Sequence, residues 1–285
     1  MDFSEISMNS NVQMNPNVQK YLAQVQQFRL LDDDFMKVVF AHDNRAAQKV
    51  LQIIMEKPDL IVREVKTEDD RHNLRGHSVR LDVHAIDSTG KHYDIEIQRS
   101  NKGAGCKRAR YNLSLLDSAN LDRGQDYDAL PETYIIFIPE NDVFGHGLPM
   151  YHIERQIEET GELFRDAGHI IYVNSEYRGD DEIGKLMSDF RVNTPEEMNF
   201  RELSEIVGYY KGTERGVEHM SKAGEELYNR GVEEGIEQGI EKGIEQGVER
   251  ERVNTVKKLY ETMSREQIAV ALDLPLKRVD EILDQ

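Results

Sequence analysis

The sequence has no tryptophan and only one cysteine, and it is short of positive charge: 36 Lys and Arg stand against 54 Asp and Glu. A lone Cys106 excludes an internal disulfide and a zinc ribbon, and fits a reducing cytosol. Beside Lys107 and Arg108 it reads as a plain small residue rather than a reactive thiol. No run approaches the ~20 apolar residues of a membrane span, so no membrane partner is expected. The opening residues Met1, Asp2, Phe3, Ser4 and Glu5 are unlike a secretory signal, and a cytoplasmic location is expected. The nine histidines form no His-Glu-x-x-His set. No Gly-x-Ser-x-Gly elbow and no Gly-x-x-x-x-Gly-Lys loop occurs, so zinc-protease, serine-hydrolase and P-loop chemistry have no support. The net charge of −18 argues against indiscriminate coating of DNA, which needs clustered cations.

What the sequence does have is a hairpin. Val79, Leu81, Val83 and Ala85 alternate with Arg80, Asp82 and His84; Tyr93, Ile95 and Ile97 alternate with Asp94, Glu96 and Gln98. This two-residue period marks two strands. Between them Ser88, Thr89 and Gly90 suit a three-residue loop whose left-handed position Gly90 fills without strain. Pairing Asp87 with Lys91 sets Asp82 opposite Glu96 and Arg80 opposite Gln98. Opposed residues share a face, with Cβ atoms roughly 4.5–5.5 Å apart. Two like charges so placed destabilise a sheet unless a proton or cation lies between them, and Mg²⁺ at about 2.0–2.1 Å from each oxygen relieves the conflict. Asp82 and Glu96 would hold the ion, with the Ile97 carbonyl as a neutral ligand. Gln98 would orient a water, but it is a poor base. The competing explanation is a solvated polar face whose carboxylates pair with Arg80 and His84, and spacing alone favours it.

The stretch from Arg80 and Asp82 to Asp94-Ile95-Glu96-Ile97-Gln98 resembles the PD-(D/E)XK nuclease core. It is similar to the Glu-x-Gln variant of the recombination-promoting nuclease family of transposases. Asp33-Asp34-Phe35-Met36-Lys37 resembles that family's Asp-rich first helix. Lys107-Arg108-Ala109-Arg110-Tyr111 resembles its basic helix after the Glu-x-Gln strand, and the Gly-Ile-Glu tail is also similar. The resemblance implies an α/β fold: a restriction-endonuclease-like mixed sheet flanked by helices, followed by an all-helical tail. It implies Mg²⁺-dependent DNA cleavage on Asp82, Glu96 and Gln98, with Mn²⁺ as a substitute ion. It also implies a role in mobile-element recombination or phage defence. Gln98 departs from the lysine of the wider superfamily, which leaves the general base unidentified. The rival is a nuclease-fold protein of weak or no activity that acts as an oligomeric nucleic-acid-binding or protein-interaction module.

Other segments fall into place around this core. A flexible N-terminus over 1–19 precedes a catalytic domain over 20–212. Leu30 to Met55 reads as one helix from apolar residues at three- and four-residue steps. Asp33 or Asp34 is a further acid for the metal or a capping residue, and capping is the simpler reading. Lys37, one turn from Asp33, has a helix salt bridge as its plain explanation. Leu60–Val65 reads as a strand and Glu68–Asn73 as a polar connection. Residues 99–123 carry six basic and two acidic side chains, and Lys107, Arg108, Arg110 and Tyr111 are the candidate DNA contacts. Ala104–Leu121 is expected to be helical. Thr133–Ile138, a continuous apolar run, reads as a strand buried on both faces. Tyr151–Ile157 and His169–Val173 are further strands; Ile183–Phe190 and Glu196–Tyr210 are closing helices. His84 and His92 are expected to be exposed strand-end residues.

The tail repeats Gly231, Gly235, Gly239, Gly243 and Gly247, each followed by Val or Ile and then Glu. Each glycine costs about 0.8–1.0 kcal/mol relative to Ala in a helix. Glutamates at four-residue spacing repel. A partner helix would offset both, so homo-dimerisation through residues 216–285 is expected, with 216–254 the repeat helix and 255–285 a small helical hairpin. Ser264 is the expected cap of that hairpin, which serves packing rather than base reading.

Overall fold

A computed structural model describes residues 24–71, 79–98 and 104–284. The tract 1–19, the residues His72, Asn73, Arg99 and Lys102, and the side chain of Arg80 lie outside the described residues. The chain divides into two compact units, Met1–Gly224 and Glu225–Gln285.

The first unit is built on six strands: β1 (Val62–Arg71), β2 (Val79–Asp87), β3 (His92–Gln98), β4 (Thr133–Pro139), β5 (Met150–Ile153) and β6 (Gly168–Val173). They lie in the order β1-β2-β3-β4-β6-β5. β1, β2 and β3 are antiparallel, β3, β4 and β6 run parallel, and β5 returns antiparallel to β6. The parallel β3–β4 step needs a crossover, which helix α3 (Cys106–Ala119) supplies. This is the mixed, helix-flanked sheet that the resemblance implies.

Side-chain alternation sorts the sheet into two faces. Val83, Ala85, Tyr93, Ile95, Ile97, Ile136 and Ile138 enter the larger core with helices α1 (Asp33–His42), α2 (Asn44–Ile54), α4 (Glu182–Arg191) and α5 (Arg201–Gly212). Ile135, Phe137 and Tyr172 face the other way and pack with Ala109, Leu113 and Leu116 of α3. All seven residues of β4 are buried, as its apolar run requires. His84, Asp94, Glu96 and Gln98, alternating with the first set, face the α3 layer, while Asp82, just past the end of the β2–β3 ladder, meets Lys37 of α1.

Several boundaries differ from expectation. The helix expected over Leu30–Met55 is two helices, because Asp43 is extended (φ −148°, ψ 111°) and its carboxylate caps α2 through the Arg45 N–H at 2.8 Å. The apolar stripe resumes across the break, which hides it. β1 runs on to Arg71 through the expected polar connection, because β2 pairs with its backbone as far as Arg71↔Val79. Charged residues suit such an edge strand. β5 stops at Ile153 rather than Ile157. The helix expected from Glu196 is a 3-10 turn, Pro195–Glu197, then α5. The buried Asp189 carboxylate accepts the N–H groups of Asn199 at 2.7 Å and Phe200 at 2.9 Å and so fixes the break.

Helix α6 (Glu214–Leu259) contains the division between the two units. In the second unit α7 (Arg265–Ala271) and α8 (Leu276–Leu283) bring Ile268, Val279 and Ile282 onto Val256. Ser264 and Gln267 form a reciprocal cap at the start of α7. Arg265 ties the pair by reaching Asp280 at 2.7 Å and Asp284 at 2.9 Å. Ile240, Ile244 and Val248 are 58%, 63% and 54% exposed, so this apolar stripe is uncovered in the single chain. Among the described residues no helix is long and apolar enough to cross a membrane.

The hairpin turn sets the register of the sheet's polar face. Gly90 has φ +84°, and the Asp87 N–H donates to the Lys91 carbonyl at 3.1 Å. The Asp87 carboxylate accepts from the Thr89 N–H, the Thr89 hydroxyl, the Lys91 N–H and the Tyr93 hydroxyl at 2.8, 2.7, 3.1 and 2.9 Å. Gly90→Ala, forced into a left-handed conformation, is expected to cost about 1 kcal/mol. Asp87→Ala strands several donors and should cost more, about 2–4 kcal/mol. Urea unfolding of the two variants beside the wild type checks the order.

Candidate active site

The β2–β3 ladder runs from Ile86↔His92 to Val83↔Ile95, the register expected from the turn. The next residues in line are Asp82 and Glu96, and here side chains take over from the ladder. The Ile97 N–H donates to Asp82 Oδ2 at 3.3 Å instead of to a backbone carbonyl. The N–H and C=O of one strand residue face the same neighbour, so the Ile97 carbonyl is directed to the Asp82 side. Both acids are buried, Asp82 at 6% and Glu96 at 0% exposure.

Each acid is met by a cation from a different helix. Lys37 of α1 reaches Asp82 Oδ1 at 3.0 Å while holding Asp33 Oδ2 at 2.8 Å, so the salt bridge expected within the helix is shared with the sheet. Arg108 of α3 donates to Glu96 Oε2 at 2.7 Å and to Gln98 Oε1 at 3.2 Å. The Gln98 amide donates to the same Glu96 oxygen at 3.4 Å. Glu96 Oε1 and Asp33 Oδ1 are buried with no hydrogen-bond partner.

Burial dominates the proton affinities. It pushes Asp82 up to about 6, against the opposing charge of Lys37. It pushes Glu96 up to about 8, reinforced by the charge of Asp82 and opposed by Arg108. The Arg108–Glu96 distance is that of a charge-assisted bond, yet burial and the Asp82 charge together outweigh it. For Lys37, burial acts downward, but the charges of Asp82 and Asp33 outweigh it and hold the ammonium above its ordinary range.

Asp94, two residues before Glu96, is a site member that the sequence reading passed over. Both its oxygens are buried without a partner, and burial followed by the charges of Glu96 and Asp82 raises it well above the carboxylate range. Asn112, one helical turn after Arg108, helps to stabilise the ionised form of Asp94, although neither side chain reaches hydrogen-bond geometry. The signals were present: Asp94 continues the two-residue stripe, and Arg108 and Asn112 share a helix face. His84, expected to be exposed, is buried at 2% and bonds His92 at 3.0 Å, because α3 covers its stripe. Asn120 at the end of α3 also reaches His92, at 3.2 Å.

The remaining candidates spread out. Asp34 is exposed, while Asp33 is joined to Asp82 through Lys37. Asp32 holds the N-cap position of α1 without a side-chain capping bond, and Asp33 and Asp34 lie in the first turn. Lys107 and Arg110 are exposed on α3 and Tyr111 is half-buried, whereas Arg108 turns into the site. Cys106 is exposed at the helix start.

The donor set fits a hard dication. Among the described residues no three His, Cys, Asp or Glu side chains form a cage. An ion would therefore rest on two carboxylates, a main-chain carbonyl and water, which is how Mg²⁺ is commonly held. The partnerless Glu96 Oε1 is an oxygen of the required kind.

The raised acids give stability a definite pH dependence. A buried carboxyl with a raised pKa stabilises the fold fully below its unfolded value, and that contribution is lost as pH rises through the folded value. The window ends near 6 for Asp82 and near 8 for Glu96. Glu96→Gln is therefore expected to flatten the fall in Tm between about pH 5 and 8 in EDTA, and to melt roughly 3 °C or more above wild type at the upper end. A variant that tracks the wild type across this range would contradict the assignment.

Residues 32–177 match the family model of the PD-(D/E)XK nuclease family transposases. No curated protein and no solved structure matches. The matched span runs from the cap of α1 through the hairpin, α3 and β4 to the turn after β6, so it holds every residue of the site just described. It covers just over half of the chain, and the chain belongs to the PD-(D/E)XK nuclease family transposases.

Proposed function

We propose that this chain is a Mg²⁺-dependent DNA endonuclease, with Mn²⁺ as a substitute ion, acting in the cytoplasm in mobile-element recombination or phage defence. The observation that carries the reading is the acidic pair: Asp82 and Glu96 are both buried, the charge of Asp82 is felt at Glu96, and one Glu96 oxygen has no partner. A bound Mg²⁺ would supply Lewis acidity and a water of lowered pKa. Asp82, Glu96 and the Ile97 carbonyl would hold it, with Asp33 the nearer of the two helix acids.

The side chains have separable tasks. Gln98 presents its oxygen to Arg108 and its amide to Glu96, so its head group is fixed. It orients water by hydrogen bonding and accepts no proton at neutral pH. Arg108, with Lys107 and Arg110 exposed on the same helix, meets the backbone phosphates; Arg108 is suited to two-point contact. Tyr111 supplies a flat surface for a sugar or base.

A second reading keeps the fold and drops the chemistry. It is favoured by the two internal cations, Lys37 and Arg108, which already pair with Asp82 and Glu96. Supercoiled plasmid separates the readings. With Mg²⁺ the wild type is expected to nick it, Asp82→Ala and Glu96→Ala to be slower by at least about 100-fold, and Gln98→Ala by about 10-fold or more. The rate should rise between about pH 6 and 8, as both acids ionise. Equal nicking by wild type and Asp82→Ala, or none at high protein concentration, would select the second reading.

For the tail we infer a homodimer in which the Ile240, Ile244 and Val248 stripe is covered by a second copy. Light scattering should find a dimer for the full chain and a monomer for Ile244→Asp. A monomeric wild type would end this inference.

A further inference from the structure

Both oxygens of Asp82 are engaged. Oδ1 is held by the Lys37 ammonium at 3.0 Å and Oδ2 by the Ile97 N–H at 3.3 Å. Glu96 differs, since its Oε2 takes Arg108 while Oε1 has no partner. An ion can therefore reach Glu96 with Arg108 still in place, but it meets Lys37 at Asp82. A dication about 2.0–2.1 Å from Asp82 Oδ1 would share that oxygen with an ammonium in a region of low dielectric, where like charges repel strongly. The Lys37 side chain is only 12% exposed, so water does little to screen the conflict.

We propose that Lys37 is the resident counter-ion of Asp82: it occupies the place of the divalent ion, is displaced when the ion enters, and then presents its charge to the DNA backbone. The proposal rests on the metal-dependent reading above. Charge counting supports the last step. With Asp33, Asp82 and Glu96 ionised, three negative groups face the two cations Lys37 and Arg108. Adding a dication reverses the sign of the local charge, and a phosphate restores the balance. Ion and DNA would thus strengthen each other's binding, a reciprocity required by linkage.

The test reads the amine directly. The full-length protein is treated with an acetylating succinimide ester at fixed pH, with and without Mg²⁺ and in the absence of DNA, and each lysine is quantified by mass spectrometry. Calorimetry on the same samples records whether Mg²⁺ binds. Lys37 should react slowly without the ion and severalfold faster with it, while the exposed Lys185 is unchanged. Binding of Mg²⁺ with no gain at Lys37 overturns the proposal and leaves the metal reading intact. No binding of Mg²⁺ overturns both. In a second arm, Ca²⁺ replaces Mg²⁺ and the affinity for a labelled duplex is compared with that in EDTA. Wild type should gain affinity with the ion, and Lys37→Met should lose most of that gain; an undiminished gain in the variant refutes the phosphate role.

Discussion

Taking the Asp82 and Glu96 carboxylates out of water is the demanding step in this fold, and the surrounding elements are arranged to make it tolerable. An unpaired buried carboxylate would simply take up a proton. Here α1 approaches with Lys37 and α3 approaches with Arg108, and the main chain of β3 contributes the Ile97 N–H. The two helices belong to different cores, one packed with Val83 and Ile95 and the other with Ile135 and Phe137. The acids are therefore clamped between layers, and a shift of either helix would unbalance them. Asp94 adds a third buried carboxyl to the same stripe, itself held well above the carboxylate range by burial and by the charges of Glu96 and Asp82.

Much of this was legible in the sequence, for reasons that can be named. A two-residue period needs no tertiary knowledge, so both hairpin strands could be read directly, and Asp87 and Gly90 have few roles other than a turn that fixes register. The unbroken Thr133–Ile138 run could only be a strand covered on both sides. What was hidden depended on distant partners. Asp43 looks helical until its carboxylate is seen capping α2. His84 looks exposed until α3 covers it. Lys37 has an adequate partner one turn away in Asp33, so nothing local announces Asp82. Glu68 to Arg71 reads as loop because the chain alone does not reveal that β2 offers it a ladder.

The second unit follows a different physical logic. Its small core of Val256, Ile268, Val279 and Ile282 is helped by ion pairs radiating from Arg265 and Arg278. Among the described residues of the glycine-rich helix before it, Ile240, Ile244 and Val248 are exposed. A Cβ on Gly239, Gly243 or Gly247 would meet nothing within 4 Å. These glycines thus serve no close packing inside the monomer, and their cost to helix stability is met elsewhere or not at all.

The three-residue turn between Asp87 and Lys91 also bears on how such a site can change over generations. A substitution within either strand alters the contacts of one side chain. Adding or deleting a single residue in the turn would exchange the facing partners of every residue beyond it, carrying the acids toward the apolar layer and the isoleucines toward α3. The length of this turn is therefore under a tighter constraint than the identity of any one side chain in the strands that does not belong to the site.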